Sequence, residues 1–147
     1  MNIDPGDRAA VLAAVAARGH VLAFASDALR DDEAVALAAV AQNGWALQHC
    51  GPRCRGAPRV VAAAVAQNGL ALFYAATALR GNRRLALKAV AQDGRALRHC
   101  APALRRDRGV CAAAVARDPR AWEFVAGADA LRGDAAFAEE VAALSLE

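Results

Sequence analysis

A spacing of 25 residues runs through this chain and limits what it can fold into. Val15, Val40, Val65, Val90 and Val115 recur at that interval, each between two alanines. Gly19, Gly44, Gly69 and Gly94 keep the same step with Pro119 in fifth place, and so do Leu22, Leu47, Leu72 and Leu97. Leu29, Leu79 and Leu104 form a further column, in which Cys54 serves the second unit. At a step of 50 the match is tighter: residues 19–50 agree with residues 69–100 at 17 of 32 positions, so tandem pairs were duplicated together. A period of this length marks an array of small units, none of which can bury its own apolar face without its neighbours. The units read as 7–31, 32–56, 57–81, 82–106 and 107–133. The fifth carries about two extra residues near Gly127-Ala128, and a terminal cap follows at 134–147.

Each unit reads as two short helices. Asp7, Asp32, Asn82 and Asp107 stand where a first helix needs an N-cap, and Pro58 supplies the start signal in the third unit. Bulky positions then recur among alanines, as in Val35, Leu37 and Val40, until a breaker pair ends the helix at Asn43-Gly44, Asn68-Gly69, Asp93-Gly94 or Asp118-Pro119. A shorter second helix follows and closes in a loop whose leucine plugs the gap between units. Neither helix reaches the ~12 to 15 residues at which isolated helices become even marginal, so stacking is obligatory. Of 147 residues 43 are alanine, and only 37 are Met, Ile, Leu, Val, Phe, Trp or Tyr. Thin layers of closely approaching helices suit that composition better than one thick core or a sheet. The expectation is an all-α solenoid of short stacked helical hairpins, a single domain of five units and a cap helix, roughly 50 Å long at ~8 to 10 Å per unit.

The stretch Ala39-Val40-Ala41-Gln42-Asn43-Gly44-Trp45-Ala46-Leu47, which returns as Ala64 to Leu72, resembles the repeats of domain-of-unknown-function family 4116. These are alanine-rich tandem repeats of about 50 residues found in some bacteria and protists. The resemblance covers residues 7 to about 132 and departs in the fifth unit, where Arg117-Asp118-Pro119 replaces Gln-Asn-Gly. It implies a helical repeat and no assigned activity.

Charge is segregated. Residues 1–50 carry net −3, residues 51–120 net +11 and residues 121–147 net −5. Within the basic band Arg55, Arg80 and Arg105 share one repeat position; Arg59 with Arg84, and Arg83 with Arg108, form two more columns around the same inter-unit loops. Along one edge of a stack these guanidinium groups would form a stripe able to follow phosphates or an acidic partner, unless they simply solvate loops in a chain with seventeen arginines and one lysine. Trp45 and Tyr74 are placed to stack on bases, but large aromatics usually pack, and both read first as core. A second set of contact positions is the variable column His20, Trp45, Leu70, Arg95 and Arg120 at the start of the second helices.

Catalytic signatures are sparse. Two serines and one threonine leave few hydroxyl nucleophiles, and the acid pairs Asp31-Asp32 and Glu139-Glu140 fall at a helix start and in the cap. His49-Cys50 and His99-Cys100 are one site in two copies, alternating with Phe24 and Tyr74; lying two units apart, they cannot share one ion. Cys50, Cys54, Cys100 and Cys111 read as small core thiols, although the Gly51-Pro52 turn leaves a Cys50–Cys54 bridge conceivable. Free thiols fit a reducing intracellular compartment, cytoplasmic by default, since no basic n-region or Arg/Ser-rich leader precedes the first helix and no apolar run approaches ~18 residues. The expected function is non-enzymatic protein binding, as a scaffold or a stabilising subunit of a larger assembly, with no metal or other cofactor. Nucleic-acid binding through the arginine stripe is the alternative.

Overall fold

The computed structural model describes residues 2–147. In chain order the α-helices are α1 (Arg8–Ala17), α2 (Asp27–Arg30), α3 (Glu33–Gln42), α4 (Pro52–Arg55), α5 (Pro58–Gln67), α6 (Thr77–Arg80), α7 (Arg83–Gln92), α8 (Arg108–Arg117), α9 (Ala128–Arg132) and α10 (Ala135–Leu144). Five six-residue 3₁₀ segments alternate with the long helices: Gly19–Phe24, Gly44–His49, Gly69–Tyr74, Gly94–His99 and Pro119–Phe124. The chain is an all-α repeat solenoid.

The start signals act as their chemistry requires. Asp7, Asp32, Asn82 and Asp107 accept hydrogen bonds from N–H groups in the first turns of α1, α3, α7 and α8. Pro58 opens α5 behind Ala57, which makes no side-chain cap, and its missing N–H falls where a helix has no partner for one. Asn43, Asn68, Asp93 and Asp118 are extended, with φ between −151° and −147°, and each side chain accepts from the N–H two residues on at 2.9–3.0 Å. Asp118-Pro119 thus makes the same turn as the Asn-Gly pairs.

Two local elements differ from the sequence expectation. The second helix of each unit is 3₁₀ rather than α: an extended cap residue starts it in all five units, and an Asx bond tightens that turn in the last four. Six residues then span about 12 Å instead of about 9 Å, nearer the length of the ten-residue helix beneath. The closing loops are themselves single helical turns that carry the plugs: Leu29, Cys54 and Leu104 are buried, and Leu79 is half-buried.

Long helices pack on long helices in one layer and 3₁₀ segments on 3₁₀ segments in the other, each long helix resting on the 3₁₀ segments of its own unit and the unit before. The glycine column makes this possible. A Cβ on Gly44, Gly69 or Gly94 would press on the carbonyl oxygen of Ala64, Ala89 or Ala114 in the next unit, all three of them fully buried. These glycines serve close backbone approach. Among the described residues only Gly127 has a positive φ (80°); it is the left-handed residue that absorbs the insertion ahead of α9. One apolar cluster runs from Val11 to Phe137, which seats the cap helix α10 on α8.

Candidate functional site

The expected arginine columns have different fates. The column containing Arg55, Arg80 and Arg105, to which Arg30 also belongs, lies at the joint between units. The carbonyls of Arg30, Arg55, Arg80 and Arg105 accept from the N–H groups of Gly51, Ala76, Ala101 and Ala126 at 2.8–2.9 Å, one inter-unit backbone bond per repeat. Where the third unit meets the fourth and the fourth meets the fifth, the side chain closes the same joint: Arg80 Nε donates to the His99 carbonyl at 2.7 Å and Arg105 Nε to that of Phe124 at 2.8 Å. The Nε atoms of Arg30 and Arg55 are buried without a hydrogen bond.

The second and third columns line the N-terminal edge of the long helices. Arg8 reaches the Asp32 cap of the next unit at 2.9 Å, Arg83 reaches Asp107 at 2.9 Å, and Arg108 reaches Asp134 at 2.6 Å and Glu140 at 3.0 Å. The donated hydrogen bonds hold the carboxyls of Asp32, Asp107 and Asp134 below the usual carboxylate range. Arg59 pairs with Glu33 at 3.3 Å. Arg84 is exposed, and among the described residues its side chain makes no ion pair or hydrogen bond. Arg95 and Arg120 fold back on Asp93 and Asp118 at 2.8 and 3.0 Å. The stripe is therefore largely matched within the fold, leaving exposed cations such as Arg53, Arg84, Lys88 and Arg106.

The opposite layer presents aromatic rings. Phe24 is 74% exposed, Phe73 51% and Trp45 38%. Trp45, read as core from the sequence, stands on the surface because Ala46 and Leu47 take the inward positions of its 3₁₀ segment; Tyr74 is half-buried. Trp45 meets Tyr74 at 6.0 Å, Tyr74 meets Phe73 at 5.0 Å and Phe73 meets His99 at 5.1 Å, all edge to face, so one array crosses three units. Arg98 continues it by lying over Phe124 at 5.6 Å. Phe24, His49, Tyr74, His99 and Phe124 occupy one repeat position, a ring in every unit. Phe24 of that column is exposed and the other four rings are half-buried, a difference that the period does not announce.

His99 is pushed down to about 4 by burial and by Arg98 and Arg80, and His49 is lowered by burial, Arg30 and His20, so both rings are neutral at pH 7. The four cysteines are unpaired and buried, and burial lifts Cys50 to about 12 and Cys54, Cys100 and Cys111 to about 11. Among the described residues no three His, Cys, Asp or Glu side chains gather as a metal site, and no helix is long and apolar enough to cross a membrane.

A family model described as "Domain of unknown function (DUF4116)" matches residues 7–55 and again residues 59–105, two adjacent copies of the 50-residue pair. No curated protein and no solved structure matches the chain.

Proposed function

We propose that this chain, which belongs to the DUF4116 family, is a non-enzymatic helical-repeat protein that binds a protein partner through its 3₁₀ layer, as a scaffold or a stabilising subunit of a larger assembly. The observation that carries this reading is the aromatic array Trp45–Tyr74–Phe73–His99, in which Trp45 and Phe73 are exposed and Tyr74 and His99 half-buried, on a layer built of stacked units. Folding gains little from leaving Phe24 and Phe73 in water, whereas Trp, Tyr and Phe are the side chains on which protein interfaces most depend. The variable column of Trp45, Arg95 and Arg120 stands on the same layer, with its two guanidinium groups partly neutralised by Asp93 and Asp118.

Nucleic-acid binding through the inter-repeat arginines is the weaker reading. It needs a row of free guanidinium groups, and the Arg80 and Arg105 Nε–H groups are spent on backbone carbonyls. A photo-crosslinking residue placed at Phe73, and in a second variant at the exposed Ala13 of α1, on the long-helix layer and away from α5 and α7, tests the proposal in cells. Discrete protein adducts from position 73 and none from position 13 are expected; adducts that disappear on nuclease treatment, or equal adducts from both positions, contradict it.

A further inference from the structure

On the long-helix layer, α5 and α7 leave between their N-terminal halves a groove of about 260 Å³. Its floor is apolar, formed by Pro58, Ala62 and Leu85, and its rim carries Arg59, Arg84 and Lys88. Arg84 and Lys88 are one helical turn apart on the same face of α7, and Arg59 faces them from α5 across the ~8 to 10 Å that separates packed helices. Among the described residues the only carboxylate paired to this rim is Glu33, which is itself about half exposed and reaches Arg59 at 3.3 Å. Nearby Asp107 is engaged by Arg83, and Asn82 is uncharged. Three cations therefore surround an apolar floor with at most one of them compensated, whereas Arg8, Arg83 and Arg108 on the same layer are each paired with an aspartate.

We infer that this groove is a docking site for an acidic protein segment that seats one apolar side chain on the Pro58–Ala62–Leu85 floor and sets carboxylates on either side of it against Arg59, Arg84 and Lys88. The inference rests on the reading of the chain as a protein-binding module and assigns a second contact on the layer opposite the aromatic array. Charge complementarity selects the occupant. A neutral apolar segment would leave Arg84 and Lys88 to be desolvated without partners, and a bare phosphate chain would leave the apolar floor uncovered. The array offers mainly aromatic rings and the groove offers cations, so the two surfaces discriminate between different features of a partner.

A fluorescein-labelled synthetic peptide in which glutamates flank a leucine in each helical turn, a second peptide with every glutamate replaced by glutamine, and a single-stranded RNA oligomer are titrated into the full chain and followed by anisotropy at low salt. Three variants accompany it: Arg84→Glu with Lys88→Glu, Arg84→Gln with Lys88→Gln, and Trp45→Ala with Phe73→Ala, each checked by circular dichroism. All replaced side chains are exposed, so the fold is expected to stand. The glutamate peptide should bind, its glutamine counterpart should bind at least about tenfold more weakly, and the charge-reversed variant should lose at least about tenfold in affinity with the glutamine variant in between. The aromatic variant should bind the peptide as the wild type does. Failure of the glutamate peptide to bind the wild type, or binding that ignores the charge reversal, overturns the groove while leaving the aromatic surface to its own crosslinking test. Peptide binding lost only in the aromatic variant places an acidic partner on the other layer and also overturns it. RNA binding that disappears on charge reversal assigns the groove to nucleic acid and overturns it equally.

Discussion

The Arg80 Nε–H donates to the carbonyl of His99 at 2.7 Å while the carbonyl of Arg80 accepts from the N–H of Ala101 at 2.9 Å. One residue thus grips both ends of the tripeptide that closes the next unit's 3₁₀ segment, and Arg105 grips Phe124 and Ala126 in the same way. A charge-assisted bond to a partly buried carbonyl is worth more than an exposed ion pair, because truncation leaves the carbonyl without its donor. Arg80→Ala should lower the unfolding free energy by about 1–2 kcal/mol, Arg80→Lys should recover part of that, and Arg84→Ala should leave it unchanged. Urea denaturation of the three variants checks the ranking.

The glycine column makes a sharper claim. In Gly69→Ala the new methyl group meets the Ala89 carbonyl, a backbone atom that cannot swing aside, so about 1–3 kcal/mol should be lost as the units are forced apart. Gly81→Ala is the matched control: its Cβ would find its nearest neighbour at 3.5 Å, an ordinary contact, and φ is −93°. That substitution should be neutral or stabilising by up to about 1 kcal/mol through the unfolded chain. Thermal unfolding of the pair separates close approach from turn conformation as the reason for glycine.

Caps and ion pairs can be separated at Asp107, which accepts from the N–H of Val110 at 2.9 Å and also pairs with Arg83. Asp107→Asn keeps the cap and loses the charge, and should be nearly neutral at moderate salt because the pair is largely exposed. Asp107→Ala loses both and should cost about 1 kcal/mol. Stability measured at low and high salt tests this: the difference between the asparagine and alanine variants, which is the cap, should not depend on salt, while the small ion-pair part that separates both from the wild type should.

His99 gives the chain an acid sensitivity of stated sign. Its pKa in the fold, about 4, lies below the 6.5 of an unperturbed imidazole, chiefly because it is buried and secondarily because Arg98 and Arg80 repel its charged form. Between these values the unfolded chain binds a proton that the folded chain does not, so stability falls as pH falls through that window. The capping carboxylates, whose pKa values are lowered, add their own loss only at lower pH, in the ordinary carboxylate range. His99→Phe keeps a ring against Phe73 and should flatten the dependence between pH 6.5 and 4 while leaving the steeper acid limb.

The repeat, its boundaries and its caps were legible because each has a local chemical cause. Asp32 caps where an N–H needs an acceptor, and Asn43 turns the chain through its own side chain. The 3₁₀ form of the second segments was not legible, since alanine and leucine at 46 and 47 suit an α-helix equally; the extended cap and the layer beneath decide it. The arginine columns were visible as columns, but a period of 25 does not say whether a guanidinium faces water or its neighbour's backbone. One signal did distinguish them: arginine recurs in four units at the Arg30–Arg105 position, directly after the plug, as expected of a joint, whereas the Arg59–Arg84 column occupies two. Trp45 was misread because aromatics usually pack inward. The exposed rings Phe24, Trp45 and Phe73 stand at three different repeat positions, so no single column marks that surface.

That the arginines at the joints belong to the fold, leaving the aromatic layer to the partner, is tested most directly by the hydrogen exchange of arginine Nε–H groups, resolved by NMR. Arg80 and Arg105 should exchange far more slowly than Arg84, and the Arg80 Nε should show scalar coupling to the His99 carbonyl carbon across the hydrogen bond. Equal, fast exchange at all three positions would contradict this account and return the stripe to solvent, free for phosphate.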